Sequence, residues 1–512
     1  MINFLASQTS GISLTVIFAV LTIAVFIVAI WLFSIGFAGK EINLKLKPKH
    51  VFIITLVVGV VIRMLVDFSM KGIVGYTAAF SVNRAGYNGL FNMTNYIVNK
   101  GFNGFLDEYT GIFLYPIPAY LLTVFGSFSS LFADLSVNSH ITLAFLKLPF
   151  IIAEILLAVF AYKIAKKYAN ETVALAIGGL VALCPVFMLG SLAPSPYVFA
   201  ALALVVMVYF MLERKYVLMT VAYTISLLCV FETVFLLPAV AVFLIYAYVK
   251  KVIAYKNSDT KVSLWNSEYG IIVKLPVAII VCMLVSYLVT LPFANSYVGA
   301  NPFKMLYVYL IEPFGNMRYF TYNGLSLYSL FDRNATRLDL AFPVYVFSIL
   351  FMVAIVAITL IVYLSKKNRA NLMMFVAYVL LTINTYFVDS TELTLLPFMA
   401  IMIVAIVVLK DKRLVKIFGI MSLMILLNFS GVMIQADYFR ANATFASEVL
   451  VDGFKVLGMI CSAITVLTHI YFTSTLLDIV LGGNIKTFNA LDGKLSSALK
   501  DFVNIKDNKN AG

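Results

Sequence analysis

The stretch ITLAFLKLPFIIAEILLAVFAYKIAKKYANETVALAIGGLVALCPVFMLGSL, residues 141–192, decides the fold class. It holds two apolar runs, 142–164 and 171–192. Each matches the roughly 20 residues that a helix needs to cross a bilayer. Lys163, Lys166 and Lys167 cluster at their junction, as a short cytoplasmic turn requires. Similar runs extend in both directions, punctuated by Arg214/Lys215, Lys250/Lys251, Lys366/Lys367/Arg369 and Lys410/Lys412/Arg413.

Composition agrees with this reading. Of 512 residues, 62% are hydrophobic and 12% charged, and mean hydropathy is +0.99. Soluble domains are about half apolar and about a quarter charged. A soluble multidomain enzyme, a disordered chain and a disulfide-stapled secreted module are therefore excluded. The expected fold is all-α, a polytopic transmembrane bundle of roughly 11–13 spans with two long outward-facing loops. The expected location is the plasma membrane. The expected organisation is an N-terminal span and basic loop (1–49), a main transmembrane module (50–410) with outer loops 69–111 and 294–340, C-terminal spans (411–485) and a cytoplasmic tail (486–512). Segment 486–503 reads as a surface amphipathic helix.

The net charge of +13 follows from basic loops on one side of the membrane and does not call for nucleic acid. Cys184, Cys229, Cys282 and Cys461 lie inside apolar runs and are expected to be packing residues. His50, His140 and His469 are scattered, so no ligand set for a divalent metal is visible and no cofactor is evident. The first run, 13–37, reads as a retained span. Parity conflicts at one place. Three runs separate the basic loop at Lys40–Lys49 from the cluster at Lys163–Lys167, so either one of them does not fully cross or the charge rule fails once.

Acids inside spans mark ion or proton paths, and this chain has few. Glu154 is mid-span, while Asp67, Glu232, Glu392 and Asp478 lie near span ends. Polarity concentrates in the outer loops. NKGFNGFLDEYTGIFLYPIPAYL (99–121) places Asp107 and Glu108 before Tyr109 and Tyr115. IEPFGNMRYFTYNGLSLYSLFDRNATRLD (311–339) sets Arg318, Arg333 and Arg337 beside tyrosines and Asn323. Arginines on the outer side are disfavoured by the charge bias. They suit an anionic headgroup, because a guanidinium grips phosphate through paired hydrogen bonds. Two large loops over one bundle suit a site where a lipid phosphate meets a water-soluble acceptor.

The chain resembles the polytopic GT-C glycosyltransferases that use polyprenyl-phosphate-linked sugars, including the protein O-mannosyltransferases. The resemblance covers roughly residues 50–400 and rests on features in order. A basic segment leads into a span ending near Arg63. An outer loop ends in Gly101-Phe102-Asn103-Gly104-Phe105. Tyr115-Pro116-Ile117-Pro118-Ala119-Tyr120 is similar to the family's Y-P-P-x-x-Y opening. The run 145–192 resembles the family's next helices. Tyr319-Phe320-Thr321-Tyr322-Asn323-Gly324-Leu325-Ser326-Leu327-Tyr328 resembles a family v-N-A-x-N-l-w stretch in the second outer loop.

Departures accompany the likeness. The family's first-loop acid should fall near Gly86 or Tyr87, yet no acid lies from Thr77 through Leu106. A family W-G-Q-x-D turn reads Leu192-Ala193-Pro194-Ser195-Pro196, and a T-K-P turn reads Cys229-Val230-Phe231. Of an M-H-E-R-Y-x-x-P stretch, Glu392 and Pro397 survive.

The resemblance implies sugar transfer from a polyprenyl-phosphate donor to an envelope glycan, lipid or protein acceptor on the outer face. The base would be Asp107, Glu108 or Glu392. Arg318 or Arg333 would hold the donor phosphate, with Tyr115, Tyr319, Tyr322 and Asn323 lining the donor site. Two other readings stay open: a catalytically silent subunit or scaffold working with glycan-assembly partner proteins, and a lipid or polysaccharide transporter.

Overall fold

The computed structural model describes residues 2–42, 46–69, 94–102, 115–132, 140–257, 269–293, 301, 303–304, 319–334, 336, 346, 348–357, 369–391, 393–441 and 448–481. Over these the chain is an all-α bundle. Its helices are α1 (Ile2–Phe37), α2 (Pro48–Ser69), α3 (Pro116–Ser130), α4 (His140–Tyr168), α5 (Glu171–Leu183), α6 (Pro185–Leu192), α7 (Tyr197–Leu212) and α8 (Tyr216–Leu227). There follow α9 (Leu237–Lys256), α10 (Ile271–Thr290), α11 (Leu327–Leu330), α12 (Ser348–Ala357), α13 (Arg369–Tyr386), α14 (Leu396–Leu409), α15 (Lys412–Ala441) and α16 (Glu448–Leu481). Residues 94–100 are also helical. The described strands, β1 (Thr321–Tyr322) and β2 (Ser390–Thr391), pair in parallel with Thr321 opposite Ser390. The 486–503 segment lies outside the described residues.

Among the described residues, eight segments are long and apolar enough to cross a membrane. Shorter apolar helices lie between them, including Leu372–Tyr386 and Leu396–Leu409. The chain is a multi-pass membrane protein, and its packing shows why. From Leu396 to Val407 every residue of α14 is buried, so an all-apolar helix fills the centre of the bundle. At the periphery the apolar side chains stay exposed: Ile23, Ile27 and Trp31 on α1, Ile280, Met283 and Leu284 on α10. Such faces would aggregate in water and are solvated by lipid chains. The four cysteines are free and buried, as expected.

One end of the bundle gathers the basic groups. There α1 closes in a left-handed turn at Gly39 (φ 76°), with Gly39 N donating to Gly36 O and Lys40 N to Ile35 O. Asn170 caps α5 by accepting from Val173 N, and its amide donates to Gly36 O at 2.8 Å. Lys166 pairs with Glu171 at 2.8 Å, and Lys167 pairs with Glu213. The positive-inside bias assigns this end to the cytoplasmic side.

The parity conflict resolves at α3. Its 15 residues reach about 22 Å, short of the roughly 30 Å hydrocarbon core. Ile117 N, near its start, donates to Leu228 O, at the end of α8 away from the basic cluster. Tyr120 OH donates to Val289 O near the corresponding end of α10. At its other end Ser129 Oγ bonds Thr142 Oγ1, two residues into α4. Both ends of α3 therefore lie on the side opposite the basic end, hereafter the far end. The described part of the expected 112–133 span, residues 115–132, does not cross. Periodicity cannot tell a short apolar helix in the outer leaflet from a span.

Glu154 is structural. Arg63 of α2 donates through Nε to Glu154 Oε2 at 2.6 Å, and both side chains are 1% exposed. Arg63 Nη1 also donates to Ala182 O at 2.7 Å, a carbonyl freed where Pro185 breaks α5 from α6. Glu154 accepts from Ser191 N at 2.7 Å and from Ser191 Oγ at 2.9 Å. The pair thus joins α2, α4 and the broken helix around one polar knot.

At the basic end Arg413 bridges Asp411 and Asp478, each at 2.7 Å. Burial raises the Asp411 carboxyl, but the hydrogen bonds and charge of Arg413 outweigh it and hold the group below the usual carboxylate range. Its folded value is depressed, so its stabilisation is present above the unfolded value of about 3.9 and is lost as pH falls through the folded value. Thermal unfolding between pH 3 and 6 is therefore expected to fall less steeply with acid in Asp411→Asn than in wild type. Parallel curves would show that Asp411 contributes nothing to the acid limb.

Candidate functional site

At the far end three turns that are distant in sequence meet. The first follows α8, where a 3-10 turn (Phe231–Leu236) leads into α9. Thr233 Oγ1 donates to Val230 O at 2.8 Å and Tyr223 OH to Thr233 O at 3.0 Å, which braces the turn around Glu232. The second is the Ala193–Pro196 connection between α6 and α7. From it Tyr197 OH reaches across to donate to Glu232 Oε1 at 2.5 Å. The third follows α13. Phe387 packs edge-on against Phe235 with centroids 5.2 Å apart, which brings this turn against the first.

The third turn carries Asp389 in the left-handed region, φ 60°. Its N–H lies 3.1 Å from the carbonyls of both Tyr319 and Phe320, so the conformation is tied to the second outer segment. β2 then pairs with β1, and Thr321 Oγ1 donates to Ser390 O at 3.1 Å. Asp389 is within electrostatic range of Glu232 and Tyr197. Thr394 Oγ1 accepts from Thr391 N at 2.9 Å and bonds the Tyr197 phenol. Glu232, Tyr197 and Asp389 are each partly buried.

Asn323 is held just as firmly. It has φ 58°. Asn334 Oδ1 accepts from its N–H at 2.7 Å, Asn334 Nδ2 donates to its Oδ1 at 2.8 Å, and Asn428 Nδ2 donates to its carbonyl at 2.8 Å. The neighbouring Gly324 sits where a Cβ would lie 2.4 Å from Ser390 Oγ and 2.6 Å from Ser390 O. Gly324→Ala is thus expected to force β1 from β2, an overpacking cost of about 1–3 kcal/mol. Faster backbone hydrogen exchange over 319–323 and 389–391 would register it. Unchanged exchange would mean the strands tolerate the methyl group.

The sequence-named residues distribute unevenly. Tyr319 and Asn323 belong to this knot, and Tyr322 is the second residue of β1. Arg333 is exposed in the turn after α11, one residue before Asn334. Tyr115 is not in the knot. It is 4% exposed at the N-cap of α3, and Ile117 behind it bonds Leu228, four residues before Glu232. Asp107, Glu108, Glu392 and Arg318 lie outside the described residues. In the sequence Glu232 is only an acid near a span end, and Asp389 carries no mark of its own. The sequence signal that could have found Asp389 is the polar break Asp389-Ser390-Thr391-Glu392 between two apolar runs.

Chemically, Glu232 accepts from Tyr197 and from its own backbone N–H. An ionised carboxylate has about four acceptor sites, so lone pairs remain for a substrate hydroxyl. A second acid and an exposed guanidinium stand on the same end. Among the described residues no group of three or more His, Cys, Asp or Glu side chains could hold a metal ion. No family model matches the chain, and no curated protein matches it.

Proposed function

We propose that the chain is a GT-C-like membrane glycosyltransferase working at the far end of the bundle, on the outer side of the membrane. The supporting observation is the convergence of Glu232, Tyr197 and Asp389 beneath the Tyr319–Asn323 segment. The substrates are a polyprenyl-phosphate-linked sugar, which the bilayer delivers, and a hydroxyl of an envelope glycan, lipid or protein.

Glu232, oriented by Tyr197, takes the acceptor proton. The acceptor oxygen then forms a bond to the anomeric carbon as the bond from that carbon to the phosphate oxygen breaks. Polyprenyl phosphate leaves with the electron pair, and Arg333 stabilises its charge. Asp389 holds a sugar or acceptor hydroxyl in line. Arg318 is the second candidate cation. Asp107, Glu108 and Glu392 are the competing bases.

The test is a mass profile of envelope glycans and lipid-linked sugars in cells lacking the protein. They are complemented by wild type, by Glu232→Gln/Asp389→Asn, or by the Asp107/Glu108/Glu392 triple alanine variant. A sugar lost on deletion, restored by wild type and not by Glu232→Gln/Asp389→Asn, is the expected result. Restoration by that variant but not by the triple variant moves the base to the loops. Restoration by both favours the silent-subunit reading. A profile unchanged by deletion would sink the transferase.

A further inference from the structure

We infer that His469 is a positioning residue that fixes Tyr386 and, through it, the turn presenting Asp389, an inference that rests on the assignment of Asp389 to the site. His469 lies inside α16 and is 3% exposed. A polar ring in an apolar bundle is retained only where its nitrogens are satisfied, and such residues mark function. Thr382 Oγ1 lies 2.9 Å from Nε2, and Tyr386 OH lies 3.2 Å from Nδ1.

The partners decide the tautomer. Thr382 has one hydroxyl hydrogen, and it is donated to Tyr378 O at 2.8 Å. Its oxygen can therefore only accept from His469, which puts the ring proton on Nε2. Nδ1 is left as an acceptor, and Tyr386 donates to it. The two rings stand perpendicular, centroids 4.9 Å apart, and Phe351 closes another side of Tyr386 at 5.1 Å.

Tyr386 is the last residue of α13. Its carbonyl accepts from Tyr328 OH at 3.2 Å, and Tyr328 also bonds Ser348. Two residues earlier, Asn384 Nδ2 donates to Leu325 O at 2.8 Å. The end of α13 is thus clamped from α16 on one side and from the 325–328 segment on the other. Three residues later comes Asp389. Release of the Tyr386 hydroxyl frees the helix end that sets where Asp389 stands. A misplacement of about 1 Å at a reacting centre can cost about 10²-fold in rate.

The experiment uses the full chain in lipid nanodiscs with radiolabelled polyprenyl-phosphate hexoses as donors. Asparagine can place its Oδ1 where histidine has Nδ1, and glutamine can place its amide where histidine has Nε2. His469→Asn keeps the acceptor for Tyr386, whereas His469→Gln keeps only the link to Thr382. His469→Gln, His469→Leu and Tyr386→Phe should therefore lower kcat about 10- to 100-fold with donor KM within about twofold. His469→Asn should restore kcat, and the loss in Tyr386→Phe/His469→Leu should not exceed either single loss. Hydrogen exchange over 386–391 should rise in the three impaired variants and not in His469→Asn.

Full rescue by glutamine but not asparagine would overturn the inference, as would equal behaviour of all variants. Should the leucine variant fail to fold, 15N spectra of wild-type protein still decide. Only His50, His140 and His469 contribute, and the resonance missing in His469→Asn must show the Nε2–H form. An Nδ1–H form would overturn it. If Asp389→Asn and Glu232→Gln leave transfer unchanged, the site assignment fails by itself. Exchange and tautomer then still judge the role of His469 at the helix end.

Discussion

Glu154→Leu is expected to destabilise the protein by about 3–5 kcal/mol, the range for removing one partner of a buried ion pair. The substitution leaves the Arg63 guanidinium in a bundle interior with no counter-charge. It also removes the carboxylate that Ser191 N donates to, while Ser191 Oγ keeps Met188 O at 3.1 Å. Arg63 already carries an unsatisfied group: Nη2 is buried without a hydrogen-bond partner. Arg63→Met should cost a comparable amount, because Glu154 then loses its counter-charge and Ala182 O loses its donor.

The double variant Arg63→Met/Glu154→Leu separates charge from packing. Two apolar side chains of similar volume need no desolvation, and such replacements are often neutral or stabilising by about 1–4 kcal/mol. Recovery should be partial here, since Ala182 O stays unpaired at the helix break. Thermal unfolding read by a thiol-reactive dye suits the measurement, because all four cysteines are buried and Cys184 sits at the break itself. Additive losses in the double variant would show that the two residues act independently and that the ion pair is not what joins the three helices.

The second large effect is expected in turnover. Glu232→Gln keeps the shape and the Tyr197 contact but removes the proton acceptor, so kcat should fall about 10²- to 10⁴-fold, the usual contribution of a general base. Tyr197→Phe should do less, about 10- to 100-fold, since a hydrogen bond to a charged group is worth about 1.5–3 kcal/mol. Asp389→Asn should lower kcat about 10- to 100-fold, because it holds a hydroxyl in line for attack rather than taking the proton. A larger kcat loss in Asp389→Asn than in Glu232→Gln would exchange the two roles. Full activity in both variants would remove this knot from the chemistry.

The knot was only partly legible beforehand. Tyr319 and Asn323 stood out because an aromatic and amide-rich segment interrupts apolar sequence. Tyr115 stood out for a similar reason, yet its side chain is buried at the start of α3. Glu232 looked like any acid near a span end, and nothing local distinguishes it. Its partner Tyr197 lies 35 residues away, on the other side of two complete helices. Glu154 is the reverse case. A lone mid-span acid suggests a proton path, but Arg63, 91 residues earlier, neutralises it in place.

The sequence by itself determined that this chain lives in a bilayer, that its elements are helices, and which end of the bundle carries the basic charge. Those properties follow from transfer energies summed over about 20 residues at a time, and such sums are local. Tertiary structure alone decided that α3 stays on the far side, that Glu154 is paired, and that Glu232 and Asp389 share one end. These depend on single contacts between residues far apart in the chain. A hydrogen bond or ion pair is specified by position to within an ångström, and no local pattern encodes where a distant partner will stand.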